Sequence, residues 1–433
     1  MSIAEVEPFG QEGLPLKEAL RRIQLALHEN SRARSEGAWE KASLLNALGR
    51  VSAETVLANE AIPGFRASIM DGYALGQATI PKLGDQWHLV GRSSPGAAFE
   101  QKLKANEAIR ILTGAPVPDG SDWVVPQELT QLSHEAEAEA ENVRDILTLV
   151  KEASPNPWIR AADDELSADQ EIIDAHIRLT PADLGRVASC GLTELKVWQQ
   201  PRIGLLISGD ELVAPGSQRL EGAIWESNGT LLETLLSRLG YPLSERLVVN
   251  DKPEALRSAL IALSGTCDVV VSTGGMSVGD SDWIRPLVAE LGQVDFWKLC
   301  LKPGRPFAFG WIGDRVPFFG LPGNPVAAAI TTLQLLWPAI QQLEGLLEPL
   351  IPPRLMVHLA DGWQRKPGRP ELARARLEVA KDGVLLAKVN GSQSSSRIGS
   401  LCGADLLLEI PAEVKILEPG TKLWAQLLQL PIF

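Results

Sequence analysis

Cysteine is scarce. The chain of 433 residues has four, at positions 190, 267, 300 and 402. None forms a CxxC pair, so neither a zinc site nor a disulfide framework is expected. The five histidines are equally scattered and mark no metal centre. The first residues, MSIAEVEPFGQEG, carry no basic n-region and no apolar core, so they do not read as a secretory signal. Free thiols without such a signal point to the cytoplasm. No apolar run is long enough to span a bilayer, and no membrane partner is expected. Positive charge is in deficit as well. Lys and Arg total 41 against 54 Asp and Glu, a net charge of −13 that argues against nucleic-acid binding. Any anionic ligand must therefore meet a local cationic cluster. Tyrosine is nearly absent, two against twelve tryptophans, and no functional account follows from that.

What is present is globular. The chain is 45% hydrophobic and 22% charged, and it is too long for one ordinary core, so several domains are expected. Leu16, Leu20, Ile23 and Leu27 have helical spacing and predict a first helix over 16–28. A short helical segment follows over 43–48, stopped by Gly49. From Ala61 to Val125 the text changes to short strands with Gly and Pro turns, a small β-rich module. The acidic run HEAEAEAEN (134–142) reads as a solvated loop or hairpin tip. Over 180–345, strands such as RIGLLIS, RLVVN, CDVVVS, VDFWKLCL and VPFFGL alternate with helices, one of them capped by Ser227–Asn228. That alternation predicts a doubly wound α/β domain, whose ligands bind at the carboxyl ends of the strands. After Pro352 the chain returns to short strands.

The most informative segment is VVVSTGGMSVGDSDW (269–283). Its apolar start is a buried strand. The small residues Thr273, Gly274, Gly275 and Ser277 then let backbone N–H groups approach a phosphate. Asp280 and Asp282 would repel that anion unless a divalent cation lay between. The plainer reading is a glycine turn with Asp as a helix N-cap. VDFWKLCLKPGRP is the cationic counterpart. As a strand it would place Lys298, Cys300 and Lys302 on one face, with Pro303, Gly304 and Arg305 ending it. Ordinary solvated lysines account for the charges but not for the Pro-Gly-Arg-Pro that follows. Cys300 is more simply a packed thiol than a reactive one.

Four further segments occur with the glycine loop: SIMDGYA (68–74), LTGAPVPDGSDWVV (112–125), LKPGRPFAFG (301–310) and FFGLPGNPVAA (318–328). Together, in this order, they resemble the molybdopterin molybdenumtransferase family, which inserts molybdenum into the pterin cofactor. The resemblance runs from about Ile62 to the C-terminus. It implies a multidomain α/β protein: a doubly wound α/β molybdopterin-binding domain over 184–346, a β-rich insert over 59–154, a small linking domain from 1–58 and 155–183, and a C-terminal β-barrel-like domain over 347–433. It also implies adenylylated molybdopterin and molybdate as substrates, Mg²⁺ as cofactor, AMP release and a homodimer. The partners it admits are a molybdopterin adenylyltransferase or a molybdoenzyme chaperone.

The residues it singles out are catalytic Asp71, Thr113, Glu211, Asp251, Asp282, Lys298 and Lys302, with Asp251 and Asp282 at the metal. On the binding side it adds Thr273, Gly274, Gly275, Ser277, Pro303, Arg305, Gly323 and Asn324. Arg374 and Ser395 are placed near the molybdate, with Arg376 and Ser394 or Ser396 as alternative registers. From the residues alone, Asp71 and Thr113 are turn formers, Asp251 a helix cap and Glu211 part of a turn. One departure stands out. The family's Gly-Glu-Asp after Ile-Arg is here Ala161-Ala162-Asp163-Asp164-Glu165, which keeps the acidity and loses the glycine. Two other functions share parts of this text: a molybdopterin adenylyltransferase built on the α/β domain alone, and a non-catalytic scaffold of the same fold. The β modules argue against the first and the intact acids and lysines against the second.

Overall fold

The computed structural model describes residues 13–31, 38–136, 143–275 and 283–429. Two compact units emerge: one comprises 1–54, 176–181 and 196–433, the other 55–175 and 182–195. Among the described residues no helix is long and apolar enough to cross a membrane.

The smaller unit is built on a six-stranded mixed sheet. Its spatial order is Trp123–Pro126, Gly72–Leu75, Glu107–Ile111, Gln86–Ser93, Val143–Leu149 and Thr130–Ala136. Strand alternation divides its apolar residues between two cores. Ala74, Ile109 and Val124 pack in one; Leu75, Ala108, Val125 and Leu147 pack in the other. The sheet is thus covered on both faces.

The larger unit carries helix α1 (Leu16–Ser31) and then the α/β domain. Its elements are β1 (Ile203–Ser208), α2 (Asn228–Arg238), β2 (Glu245–Val249), α3 (Pro253–Thr266), β3 (Val269–Thr273), α4 (Ile284–Leu291), β4 (Gly292–Trp297), β5 (Ala308–Ile312), β6 (Val316–Leu321) and α5 (Pro325–Thr331). A π-helical segment over Thr332–Leu336 leads into α6 (Trp337–Glu344). The sheet order is β2-β1-β3-β6-β5-β4. The first four strands are parallel, and β5 and β4 are antiparallel additions at one edge. Every residue of β1 and β3 is buried, as a parallel sheet covered on both faces requires. Ile203, Leu205 and Val271 face α1, α2, α5 and α6. Leu206 and Val270 face α3 and α4. The doubly wound reading holds.

Two local expectations do not. Ser227 makes no side-chain cap on α2. The cap comes from buried Glu226, whose carboxylate accepts the Gly229 N–H at 2.6 Å and also pairs with Arg246. A carboxylate next to the helix N-terminus also meets its positive potential. Secondly, the strand predicted through 301 ends at Trp297. Lys298 sits at φ 73°, in the left-handed region, so the chain turns there and the two-residue alternation is lost. Lys298 and Lys302 are therefore not related by a strand face. Beyond the turn the backbone is held by remote partners: Cys300 N–H donates to Leu14 O, and Lys302 N–H donates to Pro370 O.

The C-terminal part is a closed five-stranded barrel of β7 (Arg354–Leu359), β8 (Glu371–Val379), β9 (Leu385–Val389), β10 (Leu406–Ile410) and β11 (Lys422–Leu427). Ala373, Ala375, Ala387 and Leu408 fill its interior. On the opposite face of the same strands, Leu372 and Leu407 join the core of the α/β domain. The barrel is therefore docked by its outer wall.

Candidate active site

Four loops meet at the carboxyl rim of the parallel strands. Gly209–Glu211 follow β1, Asp251 lies two residues beyond β2, Gly274 and Gly275 follow β3, and Pro322–Asn324 follow β6. Neighbouring strands make these loops neighbours in space. The side chain of Asn228, at the start of α2, ties two of them. Its Nδ2 donates to Thr273 Oγ1 at 2.9 Å and to Gly323 O at 2.7 Å. Gly274 has φ 93°, and a Cβ there would fall 2.3 Å from Ser208 O. Only glycine permits this approach of backbone to backbone.

The acidic side of the rim is crowded. Asp251 N–H donates to Asp210 Oδ1 at 3.1 Å. Burial raises the Asp251 carboxyl above its ordinary value, and Asp210 and Glu211 raise it further; the nearby Ser208 hydroxyl opposes them. One Asp251 oxygen, Oδ1, is buried with no hydrogen-bond partner, and so is Ser208 Oγ. Among the described residues the Ser208 hydroxyl is the one neighbour placed to meet this carboxylate, and in so acidic a surrounding Asp251 could serve as one ligand of a hard divalent cation. Among the described residues, no three acids, histidines or cysteines converge closely enough to form a full ligand set. Ser277, Asp280 and Asp282 lie outside the described residues.

A second feature lies where the α/β domain meets the barrel. A cavity of about 380 Å³ is lined by Lys302–Pro306, Pro322, Asn324, Ala327, Arg369 and Gln393–Ser395. Lys302, Arg305 and Arg369 supply three positive charges, and among the described residues no carboxylate lines it. Burial lowers the Arg369 guanidinium below its ordinary value, and the neighbouring Arg305 lowers it further. Cations crowded in this way favour an anion between them. A second cavity of about 490 Å³ shares Lys302, Arg305 and Arg369 and adds Cys300 and Lys366. The KPGRP turn runs through a cis Lys302–Pro303 bond. Gly304 has φ 120° there, and a Cβ would fall 2.8 Å from the Thr331 methyl. Ser395 is held from below, since the Val326 N–H of α5 donates to Ser395 O at 3.1 Å.

Thus Lys302, Pro303, Arg305, Asn324 and Ser395 gather at one cavity. Lys298 does not line it; its ammonium lies 3.6 Å from the centre of the Trp297 ring. Arg374 does not line it either. Alternation along β8 places Arg374 with Leu372 on the docked wall, fully buried. Its Nε donates to Ser400 Oγ at 3.1 Å, and Nη1 has no partner. Burial pushes its guanidinium down to about 10. Arg376, two residues on, packs beside Gly403. The arginine that joins Arg305 at the cavity is Arg369, which sequence reasoning passed over together with Gln393, Asn228 and Glu371. The available signal was the Arg369–Pro370 pair, a repeat of Arg305–Pro306.

In the smaller unit, Asp71 and Thr113 do meet. Asp71 Oδ1 accepts the Thr113 N–H at 2.7 Å and its hydroxyl at 2.8 Å. Those bonds, the backbone one foremost, hold the exposed carboxyl below its ordinary value, with Arg110 assisting. The segment lacking the family glycine closes on itself. Arg160 Nε donates to Asp164 Oδ2 at 2.6 Å, and Nη2 donates to Glu165 Oε2 at 3.3 Å.

Fold and site together define a multidomain α/β protein with a glycine-lined strand rim and an adjoining cationic cavity. Comparison with known proteins gives the family. Residues 14–191 match the MoeA N-terminal region (domain I and II), 204–342 match a probable molybdopterin binding domain, and 356–428 match the MoeA C-terminal region (domain IV). The chain is 30% identical over 374 residues to a molybdopterin molybdenumtransferase of Haemophilus influenzae, covering 86% of this chain and 90% of that one. A molybdopterin molybdenumtransferase of Nostoc is 28% identical over 400 residues, covering 91% and 89%. The molybdopterin biosynthesis MoeA protein of Pyrococcus horikoshii superposes with a TM-score of 0.75 at 23% identity, over 96% of this chain and 99% of that one. The chain belongs to the molybdopterin molybdenumtransferase family.

Proposed function

We propose that this protein transfers molybdenum from molybdate to adenylylated molybdopterin, releasing AMP. The observation that carries the reading is the cationic cavity of Lys302, Arg305 and Arg369 beside a strand rim built for phosphate, in a chain of net charge −13. The Thr273–Gly275 loop and Gly323–Asn324 would receive the phosphorylated end of the substrate through backbone N–H groups. The cavity would take molybdate, a tetrahedral dianion that needs both charge and directed donors, here two guanidinium forks, one ammonium and Ser395. Asp251, with Asp282, would hold Mg²⁺, which when bound supplies positive charge to the phosphoanhydride. Catalysis by this chain is then largely positioning and electrostatic stabilisation. Water would add across the phosphoanhydride so that AMP leaves, and the dithiolene sulfurs would take molybdenum as one molybdate oxygen departs with the two thiol protons as water.

Asp71 and Thr113 belong to this reading through assembly: in a cytoplasmic homodimer, the β module of one subunit would complete the site of the other. Incubation with adenylylated molybdopterin, molybdate and Mg²⁺ should release AMP in step with molybdenum incorporation. ATP with molybdopterin should yield nothing. AMP release absent in the first assay, or adenylylation in the second, overturns the reading in favour of a scaffold or an adenylyltransferase. Subunits carrying Asp71→Asn and Asp282→Asn, inactive singly, should regain activity when mixed. No recovery despite subunit exchange removes the shared-site element.

A further inference from the structure

We propose that Glu371 is a positioning residue that anchors Lys302 and sets how tightly the cationic cavity holds a dianion. The proposal rests on the reading of that cavity as the oxyanion site. Glu371 opens strand β8 and pairs with Lys302 in an isolated parallel bridge, so backbone and side chain are brought together at one point. Its carboxylate is wholly buried directly behind the cavity wall. Lys302 Nζ lies 3.0 Å from one carboxylate oxygen and 3.1 Å from the other. Arg365 Nε lies 2.9 Å from Oε2. Both side chains of that ion pair are almost fully buried. The other Arg365 nitrogens donate to the carbonyls of Pro411, Val414 and Arg369. The same side chain therefore fixes the backbone of Arg369, a second cation of the cavity.

The consequence is electrostatic. Lys302 keeps 38% of its side chain open while both oxygens of a buried carboxylate stand behind its ammonium. An anion in front of Lys302 meets the attraction of the ammonium and, a few ångströms further, the repulsion of Glu371. That repulsion weakens ground-state binding of a substrate that must leave the cavity to be transferred. It also scales with the charge of the anion, so a dianion feels it about twice as strongly as a monoanion of the same shape. Glu371 thus holds Lys302 in place and keeps a three-cation cavity from becoming a trap.

The test is calorimetric titration of the intact protein with molybdate and sulfate, tetrahedral dianions, and with perrhenate, a tetrahedral monoanion. Glu371→Gln should bind the dianions roughly tenfold or more tighter and perrhenate only about threefold tighter. Its melting temperature without anion should fall, because a buried ion pair is broken. Binding and stability would then move in opposite directions, which a purely structural residue cannot produce. Glu371→Asp, which withdraws the carboxylate by one methylene, should tighten dianion binding by a smaller factor in the same direction. Dianion affinity equal to or below the parent's in Glu371→Gln, or in Glu371→Asp should the first variant fail to fold, overturns the proposal. Equal tightening of dianions and monoanion does so too. Arg369→Met separates the two levels: if it leaves dianion affinity unchanged, the cavity is not the oxyanion site. If it weakens binding while the Glu371 variants do not tighten it, only the role of Glu371 falls.

Discussion

Replacing Arg374 with methionine should leave both stability and oxyanion affinity close to the parent's. Arg374 is fully buried, and burial pushes its guanidinium from its ordinary value down to about 10. At about 1.4 kcal/mol per pH unit, that corresponds to roughly 3 kcal/mol by which its charged form is disfavoured. Set against this are a charge-assisted hydrogen bond to Ser400, contributing about 1.5–3 kcal/mol, and a long, weaker one from Nη2 to Ser394 O at 3.4 Å, with Nη1 unpaired. Penalty and bonds nearly cancel, and methionine fills similar apolar volume along the stem. The change in unfolding free energy should therefore stay within about 2 kcal/mol of zero. It should also be flat from about pH 6 to about pH 9, because the arginine is charged in both folded and unfolded chains there. The penalty is relieved only as pH rises through about 10, where the folded form releases its proton first. Denaturant titration gives the stability and calorimetry the affinity. Arg369→Met is the contrast: it lines the cavity, and its loss should weaken molybdate binding by roughly 1.5–3 kcal/mol. Refutation is simple: if Arg374→Met abolishes molybdate binding in a folded protein while Arg369→Met does not, the wall has been assigned to the wrong arginine.

Asp251→Asn should raise the melting temperature at neutral pH while abolishing activity. Its folded carboxyl is raised by burial and by Asp210 and Glu211, so its ionised form destabilises the fold. The gain should be full above the folded value and vanish as pH falls below the ordinary carboxylate range, where parent and variant are both neutral; a gain that persists in acid would refute this. Glu226→Ala should cost roughly 1–3 kcal/mol in denaturant titration, since it uncaps α2 and removes the buried partner of Arg246, which keeps Glu233. A cost near zero would show that Ser227 takes over the cap.

Much of this protein was legible in the linear text because the relevant physics is local. A run such as Ile203–Ser208, buried on both faces, can only be an interior strand of a covered sheet. Thr273, Gly274 and Gly275 announce a tight turn after a strand, and the turn is where the text puts it. Leu16, Ile23 and Leu27 declare the apolar face of α1 by spacing alone. The alternation of strands and helices then placed the rim loops together without any knowledge of distance. Asp71 and Thr113 read only as turn formers in the text, and their mutual hydrogen bonds could not be read there.

Tertiary structure decided the rest wherever a residue's direction depends on a remote partner. Lys298 reads as strand by pattern, but the chain turns there because Cys300 must bond to Leu14 and Lys302 to Pro370. Arg374 and Arg369 stand five residues apart, and nothing local says which faces the ligand. That follows from which wall of the barrel docks on the α/β domain, a choice made by Leu372 and Leu407 entering its core. Arg374, on the same face as Leu372, is buried with it, while Arg369, ahead of the strand, is left at the cavity. Glu371 is the extreme case. As sequence it is one acid among 54 acidic residues. Only the bridge that joins it to Lys302, 69 residues away, turns it into the counter-ion of the cavity. Periodicity determines which residues are buried, because burial depends on a face; it cannot determine which charges meet, because that depends on how two independently folded faces dock.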